Sequence, residues 1–123
     1  MDLKKKLLII DDEKELVDIL ALRFRMHNLA VDCAYDGNDG LKKVRDFKPD
    51  IILVDVSMPI MSGWDLCEIL RQDEETKDIP VIMMTAFTSD ETKIKADAIG
   101  IKHLVFKPFQ SSNLVSLVES LLQ

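Results

Sequence analysis

Five short aliphatic runs punctuate this chain, and after each comes a stretch whose apolar residues recur at helical spacing. The runs are Lys6–Ile10, Leu29–Ala34, Asp50–Asp55, Pro80–Met84 and Lys102–Phe106. The first, third and fourth are nearly continuous rather than alternating, as expected of strands covered on both faces. Leu16, Leu20 and Phe24 fall at i, i+4 and i+8, with Val17 and Ile19 beside them. Leu41 and Val44 mark a second helix, and Leu66, Ile69 and Leu70 a third. Leu114, Leu117 and Leu121, flanked by Val115, Val118 and Leu122, mark the last, with Ser111 or Ser112 suited to its N-cap. The segment 89–99 differs, with only Ile94, Ala96, Ala98 and Ile99 among its charges. It reads as an exposed, thinly anchored helix. A strand followed by a helix, five times over, predicts an α/β fold with a parallel sheet and right-handed crossovers.

Size and charge narrow the function. At 123 residues, with 47% hydrophobic and 31% charged, the chain is expected to form one globular domain spanning 1–123. Its net charge of −6 comes with no basic stripe to neutralise phosphates, which argues against direct nucleic-acid binding. No apolar run approaches the roughly 18 residues of a membrane span. The opening MDLKKKLLII meets Asp11 and Asp12 too soon for a signal-peptide core, so a cytoplasmic protein without membrane insertion is expected. Cys33 and Cys67 lack metal-ligand spacing and read as ordinary thiols.

Ligands of an open parallel sheet bind beyond the carboxyl ends of its strands. Asp11 and Asp12 follow the first run, Asp55 ends the third, Thr85 and Ala86 follow the fourth, and Lys107 and Pro108 follow the fifth. In a flavodoxin-like, doubly wound five-stranded sheet of order 2-1-3-4-5 with five helices, strands one and three are neighbours, so Asp11, Asp12 and Asp55 would share a pocket. Each has an ordinary use taken singly: Asp12 with Glu15 reads as a capping box, Asp55 as a turn cap, Thr85 as a strand-end hydroxyl. Their joint placement at one sheet edge points elsewhere. Two carboxylates about 5 Å apart repel by about 3 kcal/mol at an effective dielectric of about 20, so three leave either raised pKa values or a bound cation. Oxygen ligands with no His or Cys nearby suit Mg²⁺, and an acid, a hydroxyl and an ammonium beside it suit phosphoryl transfer to a carboxylate.

These residues carry a resemblance. The acidic pair in IIDDE, the segment ILVDVSMPIMSGWDL around Asp55, MTA at Met84–Ala86 and KPF at Lys107–Phe109 are similar to the receiver domain of bacterial two-component response regulators, chiefly its single-domain, chemotaxis-regulator-like members. The resemblance covers nearly the whole chain. It implies that Asp55 accepts a phosphoryl group, and that Asp11, Asp12, Asp55 and the backbone carbonyl of Ser57 hold Mg²⁺, with Mn²⁺ as an alternative. It implies that Thr85 moves toward the phosphoryl group, that Lys107 pairs with it, and that the bond before Pro108 is cis. Met58, Pro59 and Gly63 match the positioning loop after the acceptor. The implied donors are a sensor histidine kinase or a histidine phosphotransfer protein. The implied target surface is the face of the fourth helix, fifth strand and fifth helix. Such a domain phosphorylates and dephosphorylates itself and turns over no external substrate.

Two positions bear on how a signal would travel. Leu104 stands where the family usually has Tyr or Phe, so transmission is expected through the loop after Thr85 and the 89–99 helix rather than through an aromatic. Ser57 and Phe87 flank the path of the hydrolytic water in the family, and an apolar Phe87 predicts a long-lived phosphoryl state. His27 and His103 read as solvated, Trp64 as an optical reporter near the site, and the six methionines as core filler.

Other functions fit less well. A haloacid-dehalogenase-type phosphatase needs a second Asp two residues after the nucleophile, where this chain has Ser57. A flavin-binding flavodoxin needs a hydroxyl- and glycine-rich phosphate loop after the first strand, where this chain has DDEKE. A scaffold that keeps the fold without the chemistry would not need all five site residues.

Overall fold

A computed structural model describes residues 3–86 and 89–123. The chain alternates β1 (Lys6–Ile10), α1 (Lys14–Met26), β2 (Ala30–Ala34), α2 (Gly37–Phe47), β3 (Ile51–Asp55), α3 (Gly63–Gln72), β4 (Val81–Thr85), α4 (Asp90–Ala98), β5 (His103–Phe106) and α5 (Ser111–Leu121). The five strands form one sheet in the order β2-β1-β3-β4-β5, all neighbours parallel, as expected.

The continuous runs are central strands because both of their faces are covered. In β1, Leu8 and Ile10 join Ile52, Val54 and Met83 under α2, α3 and α4, whose Val44, Leu66, Leu70 and Ala96 close that layer. Leu7 and Ile9 join Ile51, Leu53, Ile82 and Met84 on the opposite face, under Val17, Leu20 and Phe24 of α1 and Leu114, Val115 and Val118 of α5. Burying each such side chain contributes about 1.5–3 kcal/mol, so these two layers hold the strand ends in fixed relative positions. Met58, Met83 and Met84 are core filler, and Met26 is exposed. Cys67 is buried and Cys33 half-buried, both as free thiols. Burial pushes the Cys67 thiol up to about 12, which keeps it protonated and inert.

The edge strand β2 is finished by side chains. Ala30 N–H and Ala34 C=O bond toward β1, so Val31 and Cys33 direct their backbone groups outward. Arg25 Nη2 donates to the Val31 carbonyl (3.0 Å), Lys43 Nζ donates to the Cys33 carbonyl, and Cys33 N–H donates to Asp32 Oδ1 (2.8 Å).

Helix α4 is thinly anchored, as the sequence indicates. Ala96 is its one fully buried residue, while Ile94 is 68% exposed. Ser89 caps it by accepting from Thr92 N–H (3.3 Å). Lys95 Nζ lies 5.3 Å from the centre of the Trp64 ring, tying α4 to the start of α3.

Two helix starts differ from expectation. Glu13, not Asp12, is the N-cap position of α1, and its side chain makes no cap bond. Asp11 Oδ1 instead accepts from Glu13 N–H (3.0 Å), so the capping carboxylate comes from one residue earlier and Asp12 is free to face the sheet edge. Helix α5 begins at Ser111 with Gln110 at its N-cap position, because Leu114 N–H already donates to the Gln110 carbonyl. Among the described residues no helix is long and apolar enough to cross a membrane.

Candidate active site at the carboxyl edge of the sheet

All five parallel strands end at this edge, and backbone bonds fix the residues that follow β1, β3 and β5. Asp11 N–H donates to the Ala34 carbonyl (3.1 Å), Val56 N–H to the Met84 carbonyl (2.9 Å) and Lys107 N–H to the Thr85 carbonyl (2.8 Å). These bonds carry Asp11, Asp55, Thr85 and Lys107 to one place. Asp11, Asp55 and Thr85 are buried, and Asp12 is exposed. One carboxylate oxygen from each of Asp11, Asp12 and Asp55 lies within 4.8 Å of the others. Thr85 ends β4 rather than following it, opposite Phe106 in the β4–β5 register.

Lys107 Nζ is the hub. It lies 3.0 Å from Asp11 Oδ2, 3.1 Å from Asp55 Oδ1 and 3.2 Å from Glu13 Oε1. Glu13 is the residue that sequence reasoning missed. Its only signal was its place two residues after Asp11, and its contact spans 94 residues of chain.

Charge at this edge is unbalanced: three carboxylates contact one ammonium, and a fourth, Asp12, has an oxygen within 4.8 Å of Asp11 and Asp55 oxygens. Burial, and then the neighbouring Asp11 charge, push the Asp55 carboxyl up to about 6 against the pull of Lys107. Burial likewise raises Asp11, although Glu13 N–H and Lys107 both favour its charged form. Burial works against the Lys107 ammonium, but its bonds to Asp11 and Asp55 outweigh that and raise its pKa above the ordinary lysine value. The lysine therefore stays charged and does not satisfy the acids. The three clustered ligand atoms are all carboxylate oxygens, so the set fits a hard divalent cation such as Mg²⁺.

The loop from Val56 to Ser62 folds tightly against this edge. Gly63 N–H donates to the Val56 carbonyl (2.9 Å), and a Cβ at Gly63 would lie 2.3 Å from the Asp55 carbonyl oxygen. Only glycine lets α3 begin this close to the acid. Ser62 and Asp65 form a capping box that fixes the helix start. Met61 N–H reaches back to the Pro59 carbonyl (2.8 Å), with the fully exposed Ile60 between them at φ 70°, a strained conformation for a β-branched residue. Ser57 is exposed and lines a shallow cleft with Met58, Pro59, Ser62 and Trp64.

Of the supporting residues, Ala86 is exposed directly after Thr85, and Pro108 is exposed behind a cis Lys107–Pro108 bond. Leu104 is half-buried and packs on the layer that includes Ala96 of α4. Phe87 lies outside the described residues. His27 is exposed and stands 3.8 Å from Glu119, and His103 begins β5 at the opposite edge of the sheet, so neither approaches the acids.

A family model for the response regulator receiver domain matches residues 7–119. Solved structures are similar over almost the whole chain. The Vibrio cholerae chemotaxis protein CheY4 superposes with a TM-score of 0.92 at 28% identity, covering 98% of this chain and 100% of that one. The receiver domain of the Francisella response regulator 1452 gives 0.89 at 29% identity, covering 97% of each. The signal receiver domain of a histidine kinase from Syntrophus aciditrophicus gives 0.88 at 25% identity, covering 96% of this chain and 89% of that one.

Proposed function

Because this chain belongs to the response regulator receiver domain family, the signalling domains of two-component systems, we propose that it is a phosphorylation-controlled switch whose acceptor is Asp55. The observation that carries this reading is the placement of Lys107 Nζ 3.1 Å from Asp55 Oδ1 and 3.0 Å from Asp11 Oδ2, at the edge where β4 delivers the buried Thr85 hydroxyl. Residues 1–123 act as one receiver domain, in the cytoplasm.

A carboxylate oxygen of Asp55 attacks the phosphorus of a phosphohistidine on a sensor kinase or phosphotransfer protein, or of a small acyl phosphate. The new P–O bond forms as the bond to the donor breaks, and the donor leaves with that bond's electron pair as imidazole or carboxylate. Asp11, Asp12, Asp55 and the Ser57 carbonyl are the groups that would hold Mg²⁺ (or Mn²⁺). When bound, the ion supplies charge neutralisation for the phosphoryl oxygens. Lys107 pairs with one of those oxygens, exchanging a carboxylate partner for a phosphoryl one. Thr85 donates its hydroxyl to another. Glu13 holds the ammonium in place while its other partners change.

The modified residue gains about −1.5 to −2 in charge, which biases the loop after Thr85 and the lightly held α4 between two arrangements. With Leu104 in place of an aromatic, the change runs through that loop and α4. The surface of α4, β5 and α5 presents it to a downstream protein. The domain acts on itself and turns over no external substrate.

Intact-mass spectrometry after incubation with acetyl phosphate tests this. One phosphoryl adduct is expected on the wild type with Mg²⁺, none without it and none on Asp55→Asn. An adduct persisting on Asp55→Asn overturns the assignment.

A further inference from the structure

At the other end of the sheet lies a cleft of about 470 Å³, lined at the amino ends of β4 and β5 by residues that include Arg71, Lys77, Asp78, Lys102 and His103. It is above the roughly 300 Å³ at which small-molecule sites begin. The chain as a whole is acidic, with 16 basic against 22 acidic residues, yet three cations and a histidine converge here around a single acid, Asp78.

Arg71 is built into the wall. Its Nη1 donates to the carbonyls of Lys77 (2.8 Å) and Ile79 (3.0 Å), which fixes the plane of the guanidinium. Its Nε and Nη2 make no hydrogen bond among the described residues, so the edge of the fork that suits an oxyanion is unspent. Gly100 adjoins that edge. It holds φ +74°, and an added Cβ there would meet one atom only, Arg71 Nε at 3.9 Å. Lys77 is engaged with Glu74 at 2.8 Å, whereas Lys102 and His103 form no ion pair among the described residues. Ile79, Pro80 and Leu121 supply apolar wall beside these donors.

We propose that this cleft binds a small organic anion, its phosphate or carboxylate held by Arg71 and Lys102 and its apolar body resting on Ile79, Pro80 and Leu121. Asp78 selects against multiply charged ions without an apolar part, because a second negative group in the cleft would face it. The site is separate from the acidic edge and independent of the phosphorylation reading. Val81 and His103, which line it, begin the two strands whose other ends carry Thr85 and Lys107.

The test is an amide-resolved NMR titration of the whole chain with AMP, benzoate and inorganic phosphate as separate probes at constant ionic strength. Saturable shifts confined to residues 71, 77–79, 81, 100–103 and 121 are expected with AMP or benzoate, and weaker ones with phosphate. Losing a charge-assisted hydrogen bond weakens binding by about tenfold or more, and this is expected for Arg71→Gln. Lys102→Gln removes a side chain that supports no other part of the fold and is expected to weaken binding as well, so a poorly folded Arg71 variant does not spare the proposal. Lys42→Gln, exposed on α2 over the β2 and β1 flank of the sheet and not lining the cleft, serves as the unchanged control. AMP weaker than benzoate assigns the carboxylate source, and the reverse assigns the phosphate source. The proposal is overturned if no probe saturates, if Lys102→Gln binds as the wild type does, or if inorganic phosphate binds as tightly as the organic anions.

Discussion

Lys107 Nζ and Asp11 Oδ2 are 3.0 Å apart although 96 residues separate them in the chain. The contact closes the sheet's functional edge from β1 across to β5, and the β3 acid Asp55 lies between the two strands it joins. An ammonium in that position neutralises part of an acidic cluster while leaving enough negative charge for a divalent ion. Stability, metal response and chemistry are therefore coupled at one atom.

The first consequence is a pH-dependent cost of the acceptor itself. The Asp55 carboxyl is raised from 3.8 to about 6 in the fold. A raised carboxyl pKa means that the ionised form destabilises the folded state. The cost is full above about pH 6, falls as pH drops through 6, and is gone below the ordinary carboxyl value. A shift of about two units corresponds to about 3 kcal/mol. Urea unfolding with EDTA present should find Asp55→Asn more stable than the wild type by about 2–3 kcal/mol at pH 8, with the difference vanishing near pH 4. Equal stability at pH 8 would refute this.

Divalent metal should act in the opposite sense. An ion that binds only the folded state at ten times its Kd adds about 1.4 kcal/mol, or roughly 4–6 °C in Tm. A thermal melt in MgCl₂ against NaCl of matched ionic strength reads this directly. Asp11→Asn and Asp12→Asn should each lose most of the shift, and a shift that survives both substitutions would place the ion elsewhere.

Gly63 is the steric test. Alanine there would put Cβ 2.3 Å from the Asp55 carbonyl oxygen and 3.0 Å from Val56 Cα, both backbone atoms that have nowhere to go. Gly63→Ala should destabilise by about 1–3 kcal/mol and slow adduct formation from acetyl phosphate, because the acceptor strand end must shift. Wild-type phosphorylation kinetics in a folded Gly63→Ala variant would show that the close approach is dispensable.

Helix α4 offers a readout of the switch. Trp64 is the chain's single tryptophan, and Lys95 stands over its ring at 5.3 Å. Lys95→Met removes a contact of about 0.5–1 kcal/mol at an exposed site. Amide exchange in 90–98 should quicken by severalfold while the core strands keep their protection, and Trp64 emission should change. Uniform acceleration across the sheet would mean that α4 is not a separately held element.

Much of this was legible from residue order. The two-face burial of β1, β3 and β4 follows from their unbroken aliphatic runs, and the grouping of Asp11, Asp12, Asp55, Thr85 and Lys107 follows from their places at strand ends. What the sequence hid depends on side-chain direction. Asp12 looked like the cap of α1, but a carboxylate one residue earlier reaches the Glu13 N–H first. Glu13 carried no signal beyond its place next to the acidic pair, but the turn into α1 aims it at the lysine that follows β5. Ser111 or Ser112 looked like the cap because serine usually is one, yet Leu114 N–H donates to the Gln110 carbonyl and the helix starts sooner. The cleft around Arg71 gave no motif, since its parts come from the end of α3, the approach to β4, the turn before β5 and the end of α5.

The finishing of β2 has a consequence for how copies of this protein meet. Three of the four outward backbone groups of Val31 and Cys33 are already spent on Arg25, Asp32 and Lys43. An incoming strand would find little to pair with there and would have to displace two cations to dock. Crowded together, as signalling proteins often are, these domains have a flank that resists templating a neighbour into its sheet. Contacts on that side are left to helices, whose side chains can be changed without touching the sheet that positions Asp55.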